Sequence, residues 1–221
     1  MLRPGLSIYQ ANKGHMSRLL ILILLKLDFT NSQDWSDYWK NKLKEYKVIP
    51  DIISSEPPQA LGAIYHIFIV NFGVPLLPIQ FQDEPNRMEW PTEDHSLYTL
   101  VVTGLDAPTG QNASNREWLH WLIVNIPGFQ WKFGTKIVDY QGDSRNYGPG
   151  PHRCVFLAFK QPLRQKMIFN ENRIRNGAND SLRANFSTAA FVKKYNLSEP
   201  VAANFFVFES EFSNARPSVQ I

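Results

Sequence analysis

Cysteine is the rarest residue in the chain: Cys154 is the single copy among 221 residues. No intramolecular disulfide can form, so a life outside the cell would rest on core packing alone. A lone thiol also leaves no Cys-x-x-Cys half-site, and neither a metal nor any other cofactor is expected. Long hydrophobic runs are missing. The longest, Leu19 to Leu25, has seven residues, against the about 20 that a membrane-spanning helix requires, so stable membrane insertion is not expected. Excess charge is missing from most of the chain. Residues 1–32 carry four of the 23 Lys and Arg and one of the 20 Asp and Glu, which leaves the remainder neutral. A neutral body lacks the clustered cations that a nucleic-acid surface needs. Catalytic signatures are missing as well: there is no Gly-x-Ser-x-Gly elbow and no phosphate loop ending in Lys-Ser or Lys-Thr. The expectation is a protein that does not catalyse a reaction.

What is present is apolar, aromatic and punctuated. Fifteen Pro, twelve Gly and fifteen Phe favour a turn-rich β architecture over a helical bundle. Trp35, Trp39, Leu43 and Tyr46 recur at helical spacing, which predicts an amphipathic helix capped by Asp34 and ended before Pro50. Strands are expected at Ala63 to Val70, Leu97 to Val102, Trp118 to Ile126, Cys154 to Phe159 and Val201 to Phe208. The nearly unbroken apolar character of Trp118 to Ile126 predicts burial on both faces. Ser187 is placed to cap a helix through Tyr195. No repeat and no Pro/Ser-rich linker divides residues 33–221, which read as one mainly β domain with peripheral α-helices, expected to be a monomer.

Residues 1–32 read as a targeting segment. Arg18 precedes the short apolar run, and Thr30 and Ser32 suit the positions before a cleavage site, the layout of a secretory signal. Four sequons accompany it, at Asn112, Asn179, Asn185 and Asn196, each able to carry an N-glycan on the secretory route. The expectation is a secreted protein; cytoplasmic and mitochondrial locations are the alternatives.

Three constellations carry chemistry. Asp106 follows a strong strand, where it serves either as a binding group or as a turn former. His120 lies within Arg116-Glu117-Trp118-Leu119-His120-Trp121. Strict alternation sets Trp118 and His120 on one face and Leu119 and Trp121 on the other. His120 reads as a core residue or a ligand contact. His152 leaves the loop Gly148-Pro149-Gly150-Pro151 to enter a strand, and such a loop either exposes amides to an anion or is a plain tight turn. Cys154, two residues on, shares its face with His152, which leaves a thiol nucleophile open.

In this order and spacing the motifs resemble the phosphatidylethanolamine-binding protein family. The carriers are Leu97 to Thr103 with Leu105-Asp106-Ala107-Pro108, then Arg116-Glu117-Trp118 and His120, and Val124-Asn125-Ile126-Pro127-Gly128. Asp139-Tyr140-Gln141-Gly142 and Gly148 to Arg153 continue the pattern, within a resemblance that covers about residues 47–212. It implies a β-sandwich, a central antiparallel sheet packed on a smaller one. It also implies a non-catalytic pocket for phosphate-like head groups, such as that of phosphatidylethanolamine, or for small hydrophobic ligands. Asp106, Pro108, His120, Gly150 and His152 would line that pocket. The family includes modulators of kinases and proteases, so a protein partner at the pocket rim is a second implied reading. A third is a structural module like the related domain of a mitochondrial ribosomal large-subunit protein.

The chain departs from the family pattern at four places. Gly104 stands where the family usually has an Asp, Ser144-Arg145-Asn146 replaces Gly-Pro-Pro, Cys154 replaces a Tyr, and the tail from Ser213 to Ile221 contains Pro217, which disfavours the usual helix. By resemblance the pocket loses one carboxylate and two hydroxyls, and Arg145 adds a positive charge near its rim. An altered ligand preference follows.

Overall fold

The computed structural model describes residues 32–142 and 147–210. The expected leader up to Asn31, the loop residues Ser144, Arg145 and Asn146, and the tail Ser213 to Ile221 lie outside the described residues.

Period-two burial sets the architecture. The strands are β1 (Gln59–Ala60), β2 (Gly62–Tyr65), β3 (Phe68–Ile69), β4 (Arg87–Glu89), β5 (Leu97–Gly104), β6 (Trp118–Pro127), β7 (Thr135–Val138), β8 (Pro151–Lys160) and β9 (Ala202–Glu209). In β8, Cys154, Phe156 and Ala158 join one apolar cluster, while Val155, Leu157 and Phe159 join another. Successive side chains leave a strand on opposite faces, so both faces of this sheet are covered. Each fully buried Val, Leu or Phe adds about 1.5–3 kcal/mol of hydrophobic stabilisation.

The large sheet has six strands in the order β1-β9-β8-β5-β6-β7, antiparallel except for the β1–β9 pair. A small antiparallel sheet, β3-β2-β4, packs on one face through Ala63, Tyr65 and Met88. The other face is covered by α1 (Ser32–Glu45), through Trp35, Trp39 and Leu43, and by α2 (Thr188–Lys194), through Phe191. This is the expected mainly β arrangement of a large and a small sheet with few helices. Ser187 caps α2, accepting a hydrogen bond from the Ala190 amide.

Three local expectations are corrected. The stretch Ala63 to Val70 is not one strand: β2 and β3 form a hairpin that turns at His66, whose φ is 52°. Asp34 is not the cap of α1, which begins at Ser32 and holds Asp34 in its first turn. Trp121 does not lie opposite Trp118; both enter the cluster beneath the small sheet. Pairing steps from Val102–Trp121 to Thr103–Leu119, leaving His120 as an extra residue in β6. Such a bulge resets the alternation and re-aims the neighbouring side chains.

Candidate functional site

The site forms where β5, β6 and β8 end together beneath the small-sheet side. The bulge in β6 is pinned from below by Arg183, a buried side chain whose Nη1 donates to the carbonyls of Leu119, His120 and Asp139. His120 is thereby turned toward the end of β5. Its Nδ1 lies 2.6 Å from the Gln141 carbonyl oxygen and its Nε2 lies 2.9 Å from the Tyr147 hydroxyl. A carbonyl can only accept, so Nδ1 carries a proton; when the ring is neutral, Nε2 accepts from the phenol O–H.

His152 enters from β8 and is fully buried. Its Nδ1 faces the Asp106 carbonyl at 3.1 Å and its Nε2 faces the Gly148 carbonyl at 2.7 Å. The structure therefore brings His120 and His152 together around one side chain, Tyr147. The Tyr147 ring meets His152 edge to face with centroids 4.7 Å apart, Phe208 at 5.0 Å and Trp118 at 6.5 Å, the arrangement that aromatic quadrupoles favour. Tyr147 is 2% exposed. Burial, then the neighbouring Cys154 and Asp106, holds its hydroxyl well above the ordinary phenol range.

Gly104 is the floor of this recess. A Cβ placed there would stand 1.8 Å from the Tyr147 hydroxyl oxygen and 3.1 Å from His120 Nε2. The absence of a side chain at Gly104 is what admits the phenol.

Asp106 is buried, but its carboxylate engages Arg153. Arg153 Nε donates to Oδ2 at 2.8 Å, Nη2 to Oδ1 at 2.5 Å, and the Arg153 amide to Oδ2 at 2.8 Å. Arg153 leaves β8 on the helix-covered face, where Nη1 also reaches the Tyr46 carbonyl and Asp51. Asp106 thus touches the recess through its carbonyl, against His152, and through its electrostatic effect on Tyr147. The Pro108 carbonyl accepts from the Gly148 amide at 2.6 Å and so ties the two loops of the recess together. Gly150 has a φ of +102° and an added Cβ would touch nothing, so its part is the backbone conformation that leads into β8.

Cys154 lies beside the recess on the Phe156 face. Burial pushes its thiol far above the ordinary range, which disfavours a thiolate nucleophile. Among the described residues no group of three His, Cys, Asp or Glu converges as a metal ion would need. The four sequon asparagines, Asn112, Asn179, Asn185 and Asn196, are all exposed. Among the described residues no helix is long and apolar enough to cross a membrane.

Tyr147 was not among the residues singled out by motif. Its one signal is a lone large aromatic in a loop of Gly, Pro and Asn, matched by a glycine at 104. Its significance depends on Gly104, which is distant in sequence.

Comparison with known proteins adds to this geometry. A family model described as phosphatidylethanolamine-binding protein matches residues 69–206. The chain is 33% identical over 193 residues to a putative odorant-binding protein A5 of Drosophila melanogaster, covering 86% of this chain and 90% of that relative. It is 30% identical over 160 residues to a 26 kDa secreted antigen of Toxocara canis, covering 72% of this chain but 60% of the antigen's length. A carboxypeptidase Y inhibitor, solved in complex with its cognate proteinase, matches with a TM-score of 0.67 and 24% identity over 81% of this chain and 98% of its own. A phosphatidylethanolamine-binding protein from Plasmodium vivax matches at 0.59 and 18% over 77% and 97%. At those identities the likeness of the two solved structures is one of fold. By name the relatives include binding proteins, a secreted antigen and a protease inhibitor.

Proposed function

The chain belongs to the phosphatidylethanolamine-binding protein family, and from that premise we propose that it is a secreted, non-catalytic binding protein that holds one small ligand where His120 and His152 converge. The observation that carries this reading is the environment of Tyr147. A recess with three aromatic walls and one polar anchor receives its ring and hydroxyl. Vacated by that ring, a recess so lined would take a small molecule or the head of a larger one. Pro108 and Gly150 shape the loops around it, and Asp106 positions His152 and Arg153. The ligand classes to be separated are phosphate-like head groups and small hydrophobic molecules that carry a hydroxyl.

Secretion agrees with the antigen's name and with the exposure of all four sequon asparagines. The non-catalytic reading agrees with the buried thiol of Cys154.

The test is an NMR titration of the full chain, following the ring signals of His120 and His152. The panel is inorganic phosphate, O-phosphoethanolamine and p-cresol, applied to the wild type and to Tyr147→Ala. A saturable shift with any member in either protein is the expected result. Unmoved signals across the whole panel in both folded proteins would overturn the binding reading.

A further inference from the structure

Beyond the end of β8, residues 161–173 form a loop that packs against α2 on the helix-covered side of the sheet. His152 lies at the other end of β8. At a strand rise of about 3.3 Å per residue the loop begins about 30 Å from His152, so it is a surface separate from the recess.

The loop is pinned from within. Asn125 and Gln161 are buried and bond each other twice: the Asn125 amide donates to Gln161 Oε1 at 2.7 Å, and Gln161 Nε2 donates to Asn125 Oδ1 at 3.0 Å. The Asn125 side chain also holds the backbone of Met167, accepting from its amide at 2.9 Å and donating to its carbonyl at 3.0 Å. Two residues on, the Phe169 ring packs on Tyr195 and Phe191, with centroids 4.4 and 5.9 Å apart. Ile168 stands between these anchors and is 92% exposed, the most of any large apolar side chain among the described residues. Turning it inward would break the Met167 bonds or the Phe169 stack. Its exposure is built into the loop, unlike that of apolar residues scattered over an ordinary surface. Leu163, 47% exposed, stands on the same loop.

The charge around this tip has one sign. Residues 161–170 include Arg164 and Lys166 and no Asp or Glu. Both cations are exposed, and neither has a salt bridge among the described residues. Glu93, which feels the charge of Arg164, is paired with Lys160, and Glu171 is paired with Lys194. Lys194 also donates to the Asn170 carbonyl, which brings the basic end of α2 against the loop. An apolar tip among unpaired cations matches a surface that has hydrocarbon beneath negative charge. A second copy fits poorly, because a two-fold contact sets the same cations against each other. A stable protein interface buries about 1,200–2,000 Å² in total, far more than a projecting tip supplies.

We propose that residues 161–170 form a peripheral docking site for an anionic lipid surface, in which Ile168 and Leu163 enter the interface and Arg164 and Lys166 meet the head groups. The contact is reversible and superficial, and it does not depend on the recess.

The experiment is co-sedimentation of the full chain with vesicles of phosphatidylcholine alone and with vesicles of phosphatidylcholine and phosphatidylserine in equal parts. A cation near a charged membrane is worth about fivefold in affinity. The expected result is saturable binding to the anionic vesicles, about tenfold or more weaker to phosphatidylcholine alone and weakened by added salt. Ile168→Ser should weaken it about fivefold or more, and Arg164→Ser/Lys166→Ser about twentyfold. The urea midpoints of these variants, all at exposed positions, should match the wild type. Failure of the wild type to bind, equal binding to both vesicles, or variants that bind as well as the wild type would each overturn the proposal. Release by soluble O-phosphoserine would trace the binding to a head-group pocket, refuting the loop site and supporting the recess instead. A concentration-dependent dimer that Ile168→Ser abolishes would assign the tip to a second copy and refute it too.

Discussion

Replacing Asp106 by Ala separates a structural carboxylate from a ligand-binding one. The side chains of Asp106 and Arg153 are 7% and 15% exposed, and the pair is bidentate with a third bond from the Arg153 amide. Removing one partner of a buried, hydrogen-bonded ion pair costs about 3–5 kcal/mol, because the remaining charge is stranded. Arg153 would keep Asp51 and the Tyr46 carbonyl, so its charge is only partly stranded and the lower end applies, about 3 kcal/mol. Asp106→Asn retains an acceptor for the Arg153 amide and loses the charged fork, a loss of about 1.5–2 kcal/mol. In the double variant Asp106→Ala/Arg153→Met no charge is left stranded, and much of the loss is recovered. Urea unfolding followed by fluorescence reads these values. With a slope of about 1–3 kcal/mol per molar, the Ala variant should lose about 1–3 M in midpoint at unchanged slope. A loss below about 0.5 kcal/mol, the level expected of an exposed pair, would refute the argument. So would a double variant less stable than Asp106→Ala.

Two further predictions concern buried groups outside the recess. Cys154 is buried and its thiol is pushed up by that burial, so the native protein should react with a thiol reagent at pH 8 only as fast as it opens. Full-rate labelling of the native state would contradict the placement of Cys154 in the core. Glu117 accepts from the Thr188 amide at the start of α2. Burial raises its carboxyl above the ordinary 4.5, against the opposing effects of Thr188, Arg116 and Thr103. The folded state thus holds this proton more tightly than the unfolded state. Between pH 4.5 and the raised folded value its contribution to stability falls as pH rises. The stability–pH profile of Glu117→Gln should lack that decline, and an identical slope in both proteins would count against it.

Much of the fold was legible because its signals are local. The spacing of Trp35, Trp39 and Leu43 defines α1, and the alternation of Cys154 to Phe159 defines β8 with both faces covered. The hairpin at His66 was hidden because apolar residues flank the turn on both sides, and the break is a backbone angle rather than a change of polarity. The face of Trp121 was hidden because a bulge inserts one residue, His120, into a two-residue period. The family resemblance also implied that Asp106, His120 and His152 line one pocket; the structure sets the two imidazoles around Tyr147 and turns the Asp106 carboxylate to Arg153. It carried no information on the direction of the Asp106 carboxylate, which depends on Arg153 leaving β8 on the opposite face to His152.

Gly104 and Tyr147 make the same point about the site itself. Read alone, Gly104 is a lost carboxylate and Tyr147 is an unremarked loop residue. Together they form one steric unit: the hydroxyl oxygen lies 1.8 Å from where a Cβ at Gly104 would stand. Neither fits without the other. An Asp at 104 would exclude the phenol, and a small residue at 147 beside Gly104 would leave an unfilled recess, which costs stability. Where the family pattern usually carries an Asp, this chain has Gly104, and the Tyr147 ring and hydroxyl stand in that space against His120. In that unit the Nδ1 of His120 donates to the Gln141 carbonyl and its Nε2 lies within hydrogen-bond reach of the Tyr147 hydroxyl.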